Sequence, residues 1–373
     1  MRVFLVGHYG GMNTGDQAML LACVSELKRQ GIQVSYVSKK KEDRPLPDLS
    51  ALCVDKSLLN ILKEIREADW VVLGGGTHFH DDYTFLRLIW HVRYMCALTG
   101  VFALAKLLGK QVAWISMGFG PFRTAIARLI LKFSLRFVDF ISVRETKSLN
   151  EVTSISSKAK IIHAFDLSGC LLNNLPEDFS LPERQHFLLG ISPTLLHLSE
   201  KRVGMCSYKF WEKVAEEVAE VAKEYKLLVR VFEFRGGQRE SDTDLVQLFI
   251  KKLKTLNTEV EYFPYESNPL KTLRAVYECK WFIASRFHSA VFAYLAQVPQ
   301  IIIPYHRKLI DFAHDVGLDN AVIPLEESAW RSIFREKLVR LIKEPYSFEA
   351  RMPVNLAISS AIRNFEFIKQ ECV

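Results

Sequence analysis

Arg2-Val3-Phe4-Leu5-Val6-Gly7-His8-Tyr9-Gly10-Gly11-Met12-Asn13-Thr14-Gly15-Asp16 opens the chain with an apolar run, a glycine-rich turn and the start of a helical pattern. The run 2–6 shows no polar alternation, which fits a strand covered on both faces. A helix is expected over about 16–30, with Gly31 as its stop, and a second apolar run follows at 32–37. Strand, turn, helix, strand is the βαβ unit, and a chain that begins this way builds a parallel sheet.

The alternation continues outward from there. Residues 57–67 place Leu58, Leu59, Ile61, Leu62 and Ile65 along one helical stripe. Further strands are expected at 70–73, 111–116, 140–143 and 160–164, with helices over 85–108 and 123–137. Residues 171–185 hold Asn173-Asn174, Pro176 and Pro182 and read as a linker. A second βαβ series has strands at 187–192, 227–232, 259–263, 281–284 and 300–303. The expected fold is α/β, with two doubly wound parallel-sheet domains at 1–172 and 186–345. A helical tail, 346–373, is expected to pack back on the first. Ligands in such sheets bind beyond the carboxyl ends of the strands, so two facing halves suggest a central cleft.

The 373 residues exceed one ordinary core, and 49% hydrophobic with 24% charged residues argues against disorder. The net charge of +7 favours an acidic partner: a phosphorylated substrate, an anionic polymer or a membrane surface. No basic run exceeds Lys39-Lys40-Lys41 and no zinc finger or RNA-binding signature is present, so no nucleic-acid partner is expected. Seven cysteines without a Cys-X-X-Cys pair read as reduced thiols of a cytoplasmic protein. The N-terminal apolar run is too short for a signal peptide, and no transmembrane helix is expected.

Six stretches carry candidate chemistry. Gly10 to Asp16 is either an anion site at a helix N-terminus or a tight turn capped by Thr14 or Asp16. Gly74-Gly75-Gly76-Thr77-His78-Phe79-His80-Asp81-Asp82 suggests backbone open to a ligand. Its histidines and aspartates tempt a metal reading, but the cluster is local and lacks a distant ligand, so no metal is expected. Ser116-Met117-Gly118-Phe119-Gly120-Pro121 reads as a turn, with or without room for a ligand. Arg144 leaves a buried strand, where its guanidinium would either grip a carboxylate or phosphate or pair with Glu145 or Asp139. Ser285-Arg286-Phe287-His288 follows another buried strand, with Ser285 as a possible cap of the next helix. Arg286 and His288 are two apart and point to one side of an extended turn, a cation beside a titratable imidazole. Pro304-Tyr305-His306-Arg307-Lys308 adds cations at the same sheet edge.

In order and spacing these stretches resemble the polysaccharide pyruvyl transferase family. The resemblance rests on Asn13-Thr14-Gly15-Asp16, Gly74-Gly75-Gly76, Gly118-Phe119-Gly120-Pro121, Ser142-Val143-Arg144-Glu145 with Ser148, Asp166, Arg286-Phe287-His288 and Tyr305 with Lys308. It spans roughly residues 1–320. Members often have Asp-Pro after the strand that ends the first half; here Asp166 is followed by Leu167. The resemblance implies two Rossmann-like halves similar to GT-B glycosyltransferases, with the acceptor on the first and phosphoenolpyruvate on the second. It implies transfer of the pyruvyl group onto a sugar of a cell-surface or exopolysaccharide precursor, as a ketal bridging two hydroxyls. Phosphoenolpyruvate is then a co-substrate, the acceptor a sugar or lipid-linked glycan, and no separate cofactor is expected.

On that resemblance His288 and Arg286 are the expected catalytic pair, His288 as general acid. Arg144, Lys308, Tyr305, Asn13, Gly15, Asp16, Gly75, Gly76 and Asp81 are the expected substrate-binding residues, with Asp16 or Asp81 acting on an acceptor hydroxyl. A GT-B-type glycosyltransferase using a nucleotide sugar is the alternative. Residues 122–137 also form a basic amphipathic pattern, with Arg123, Arg128, Lys132 and Arg136 among Ile126, Leu129, Ile130, Phe133 and Leu135. This reads either as a sheet-packing helix with its basic face in water or as a peripheral contact with the inner face of a membrane.

Overall fold

The computed structural model of the chain describes residues 1–38, 49, 51–81, 85–155, 158–176, 179–196, 204–237 and 241–371. Lys39-Lys40-Lys41, Asp82 and Cys372 lie outside the described residues. The chain divides into two compact units. One is Met1–Gly11 with Asp16–Leu175 and Asn355–Val373; the other is Pro176–Val354 with Met12–Gly15. Of the tail drawn from residue 346, the part up to Val354 therefore belongs to the second unit and the remainder to the first.

The first unit is built on strands β1 (Arg2–Val6), β2 (Gln33–Ser38), β3 (Leu52–Asp55), β4 (Trp70–Phe79), β5 (Gln111–Phe119), β6 (Phe140–Val143) and β7 (Lys160–His163). They form one sheet in the order β3-β2-β1-β4-β5-β6-β7, every pair parallel. The crossovers are α1 (Thr14–Arg29), α2 (Leu58–Glu67), α3 (Phe85–Leu107), α4 (Ala125–Ser134) and α5 (Thr146–Thr153). Apolar side chains fill both faces: Phe79 stacks on Trp114 at 4.8 Å, with Phe102 of α3 against the same indole. α3 is long and apolar enough to cross a membrane by length and composition. Its Met95, Leu98, Phe102 and Ala105 nevertheless lie in this core.

Two sequence expectations are corrected here. β3 has no counterpart in the sequence reading, because it is a four-residue edge strand whose Leu52 is exposed and whose hydrophobic signal is slight. β4 and β5 also run past their expected ends, through Gly74-Gly75-Gly76 and Ser116-Met117-Gly118-Phe119. Gly76 pairs with Met117 and Thr77 with Gly118, so residues 116–119, expected as a turn, are sheet and residues 74–76 continue their strand. The chain turns only after them, at the cis Gly120-Pro121 bond.

The second unit has β8 (Leu188–Ile191), β9 (Leu228–Phe232), β10 (Val260–Phe263), β11 (Trp281–Ala284) and β12 (Gln300–Ile302). Its order is β10-β9-β8-β11-β12, again parallel throughout. Around it pack α6 (Ser207–Tyr225), α7 (Thr243–Thr255), α8 (Pro269–Tyr277), α9 (Phe287–Leu295), α10 (Arg307–Val316) and α11 (Trp330–Lys343). α12 (Val354–Ile362) leads back into the first unit. Strand order reverses between β1 and β4 in one unit and between β8 and β11 in the other. In doubly wound sheets those switch points are where ligands bind.

Candidate functional site

In the second unit the chemistry gathers at the carboxyl end of β11. Phe282, Ile283 and Ala284 are fully buried, and the chain leaves them through Ser285 and Arg286 into α9. The Arg286 guanidinium is held by Asp242, which accepts from both Nε and Nη2, the latter at 2.7 Å. Asp242 has no exposed surface and also accepts from Thr194 Oγ1 at 2.8 Å. A two-point ion pair to a buried, hydrogen-bonded carboxylate fixes the plane of the guanidinium. Asp242 thereby balances the charge of Arg286.

His288 sits in the first turn of α9, half-buried, its ring edge-on to Phe287. It packs against the segment Met12–Gly15, which belongs to the same unit. A Cβ placed on Gly15 would lie 1.9 Å from His288 Nδ1, so only glycine admits the imidazole there. That segment is fastened by Thr14 N–H to Phe234 O at 3.0 Å and Gly236 N–H to Met12 O at 3.0 Å. Asn13 Oδ1 accepts from Gly15 N–H at 3.1 Å, so Asn13 rather than Thr14 or Asp16 caps α1. Asp16 lies half-buried in the first turn of that helix.

Lys308 completes the cluster. Its ammonium lies 5.2 Å from the Tyr305 ring centre and 5.6 Å from that of Phe287. His306 Nδ1 accepts from Lys308 N–H at 3.1 Å and starts α10. Ser285 is not the cap of α9. Arg286 stands at that place, its N–H donating to Ser289 Oγ in the first turn at 3.1 Å. The fully buried Ser285 Oγ has no hydrogen-bond partner among the described residues. Orphaned buried hydroxyls are uncommon and mark places where a ligand oxygen can bind.

In the first unit Arg144 also leaves a strand end, but into acid. Its side chain is 2% exposed; Nε donates to Glu145 at 2.8 Å and Nη1 to Asp166 at 2.9 Å. Burial opposes the charge, yet the two carboxylates outweigh it and hold the guanidinium above its ordinary pKa. Glu145 also accepts from Ser148 Oγ at 2.7 Å, and Asp166 from Ser168 N–H and Oγ at 2.9 and 2.6 Å. Among the expected partners Glu145 is found, whereas Asp139 instead binds Lys106 at 2.9 Å. Arg144 thus knits the ends of β6 and β7 together, and its pair with Glu145 is one of the two expected readings.

The remaining expected site residues in this unit are built into the fold. Gly75 is buried with φ at +68°, and a Cβ there would lie 2.3 Å from Met19 Sδ. Its backbone is packed rather than open. Gly76, half-buried, continues the strand with φ at +98°. Asp81 is buried and accepts from the Arg123 and Thr124 backbone N–H groups at 2.5 Å each, which fixes the approach to α4. The Gly75 carbonyl is 2.6 Å from His78 Nε2, so that nitrogen carries the proton and Nδ1 accepts from Tyr94 at 2.7 Å. Burial pushes the His78 pKa down to about 4, leaving it neutral at physiological pH. Among the described residues no group of three or more His, Cys, Asp and Glu is placed to hold a metal ion.

Sequence reasoning missed Asp242 as the partner of Arg286, and Asn364. Asp242 stands in Ser241-Asp242-Thr243-Asp244, which reads only as a helix start. Asn364 accepts from Ser142 Oγ at 2.5 Å and donates to Phe165 O at 2.8 Å. Nothing local to residue 364 signals that contact.

Solved structures share this architecture. UDP-GlcNAc 2-epimerase from Neisseria meningitidis, bound to UDP-GlcNAc, is similar with a TM-score of 0.64 at 13% identity over 100% of both chains. The Methanocaldococcus jannaschii UDP-GlcNAc 2-epimerase in complex with UDP-GlcNAc and UDP gives 0.59 at 12%, over 99% of this chain and 100% of that one. Anabaena Alr3699/HepE in complex with UDP and glucose gives 0.59 at 10%, over 100% and 98%. At such identities the likeness is one of fold: two parallel-sheet α/β domains of GT-B type. No curated protein matches the chain in sequence. The sequence profile of the family described as polysaccharide pyruvyl transferase matches residues 13–307.

Proposed function

Because the chain belongs to the polysaccharide pyruvyl transferase family, we propose that it moves the pyruvyl group of phosphoenolpyruvate onto a sugar of a cell-surface or exopolysaccharide precursor, in the cytoplasm. The observation that carries this reading is the set of groups at the strand ends of the second unit: the Asp242-oriented Arg286 and His288 after β11, and Lys308 after β12, over the Phe287 and Tyr305 rings.

In this reading Lys308 and Arg286 hold the donor phosphate and carboxylate. Fixed cations in a site shielded from water are commonly the largest catalytic contribution. His288 gives its proton to the methylene carbon, which becomes the methyl group and leaves an oxocarbenium-like centre. One sugar hydroxyl attacks that carbon and loses its proton. The C–O bond to phosphate breaks, and the second hydroxyl closes the ketal. Phosphate departs with one hydroxyl proton and the other restores His288, so the protons balance. Asn13 and Gly15 shape the wall against which the imidazole rests, and Tyr305 orients Lys308. For the acceptor, Asp16 is the remaining candidate base.

Solved proteins of the same fold bind UDP sugars, which favours a nucleotide-sugar transferase as the second reading. Fold alone does not decide between them. Thermal unfolding with each ligand separates the two. Phosphoenolpyruvate at a hundred times its Kd should stabilise the protein by roughly 2.7 kcal/mol. Protection by UDP sugars and none by phosphoenolpyruvate would reject the pyruvyl reading.

A further inference from the structure

The positive charge of this chain is concentrated in one place. Residues 83–138 contain eight Lys and Arg and no Asp or Glu. Removing those eight from the total of 49 leaves 41 Lys and Arg against 42 Asp and Glu elsewhere. The positive balance of the chain therefore lies in residues 83–138, on α3, on α4 and in the segments that flank them.

These two helices also expose large apolar side chains. They pack on each other through Thr99 Oγ1 and Ser134 Oγ at 2.6 Å. The inward face of α4 is Ala127, Leu131 and Ser134. On its outer side Ile126, Leu129 and Phe133 are 59%, 63% and 50% exposed. On α3, Ile89 and Trp90 are 45% and 69% exposed. A helix that merely packs on a sheet turns its apolar stripe inward and its charges outward. Here the outward side carries both. Arg93 lies over the Trp90 ring at 5.1 Å and Arg136 over Phe133 at 5.8 Å, while Lys132 is exposed beside them. Arg128 is matched by Glu151 at 2.7 Å and Lys106 by Asp139 at 2.9 Å, so the charge offered to a partner is that of Arg93, Lys132 and Arg136.

We propose that this face of α3 and α4 docks on an anionic phospholipid surface. Leu129, Phe133, Ile126 and Trp90 enter the headgroup boundary, and Arg93, Lys132 and Arg136 meet the lipid phosphates. Apolar and aromatic residues interleaved with Lys and Arg are the composition of an interfacial helix. The absence of any acid across 56 residues matches a negatively charged plane. The proposal is independent of the donor chemistry.

Of the six tryptophans, Trp70, Trp114, Trp211, Trp281 and Trp330 are buried, so Trp90 reports on its own surroundings. The full chain is titrated with vesicles of phosphatidylcholine and phosphatidylglycerol, and with phosphatidylcholine alone. Expected are a blue shift of emission and co-sedimentation with the anionic vesicles, the shift being lost in Trp90→Phe. Lys132→Gln with Arg136→Gln should weaken binding about tenfold or more, and Leu129→Ser with Phe133→Ser should abolish it. Leu248→Ser, at an exposed leucine of α7, should change nothing. Failure to bind anionic vesicles, equal binding to neutral ones, or undiminished binding by the charge variant would overturn the proposal. So would a wild-type dimer that Leu129→Ser with Phe133→Ser dissociates, because the face would then be covered by a second copy.

Discussion

Arg144 and Arg286 look alike in sequence and differ in their surroundings. Each lies within two residues of the end of a short buried strand, at the edge where doubly wound sheets take ligands. Arg144 meets two buried carboxylates, so its neighbourhood carries a net negative charge. Arg286 is held by Asp242, and Lys308 lies over the rings of Phe287 and Tyr305. An arginine at a strand end is therefore not by itself an anion site. The carboxylates that reach it decide how its charge is balanced.

The contrast breaks if both arginines behave alike on substitution. The largest expected effect is on the second unit, where His288→Ala should lower phosphate release from phosphoenolpyruvate by about 10²–10⁴-fold while unfolding as the wild type does. Next, Arg144→Ala leaves Glu145 and Asp166 buried without their cation. It should cost about 3–5 kcal/mol in denaturant unfolding. Arg144→Lys, which keeps the charge, should retain protection by phosphoenolpyruvate; its loss in a folded Arg144→Lys protein would put Arg144 back in the donor site.

A smaller effect concerns acid. The folded pKa of His78 lies near 4, below the ordinary 6.5, so the unfolded chain binds the extra proton between those values. Stability is full above about pH 6.5 and falls by roughly 3 kcal/mol as pH drops to about 4. His78→Gln should flatten that part of the stability profile, measured by denaturant midpoints across pH. The smallest is Gly15→Ala, whose methyl group would displace the imidazole. About a tenfold loss of phosphate release with little change in unfolding is expected, roughly 1.4 kcal/mol of barrier.

The sheets were legible in the sequence because buried parallel strands read as unbroken apolar runs, as in Arg2–Val6 and Trp281–Ala284. β3 was not, since a four-residue edge strand shares that signal with any loop. Residues at strand ends were legible as candidates, but their partners were not. Asp242 is 44 positions from Arg286 and Asp166 is 22 from Arg144. Only the folded chain distinguishes a cation that is neutralised twice from one that is oriented once. The three glycines at 74–76 misled for a related reason: a Cβ at Gly75 is forbidden by Met19, a neighbour 56 positions earlier, rather than by a ligand.

The central claim is that donor chemistry resides at the end of β11. It is tested most directly by phosphate release from phosphoenolpyruvate with a panel of acceptor glycans, comparing wild type with His288→Ala. Acceptor-dependent release by the wild type, reduced at least about a hundredfold in the variant, is the result expected. Release at the wild-type rate from folded His288→Ala protein would contradict it.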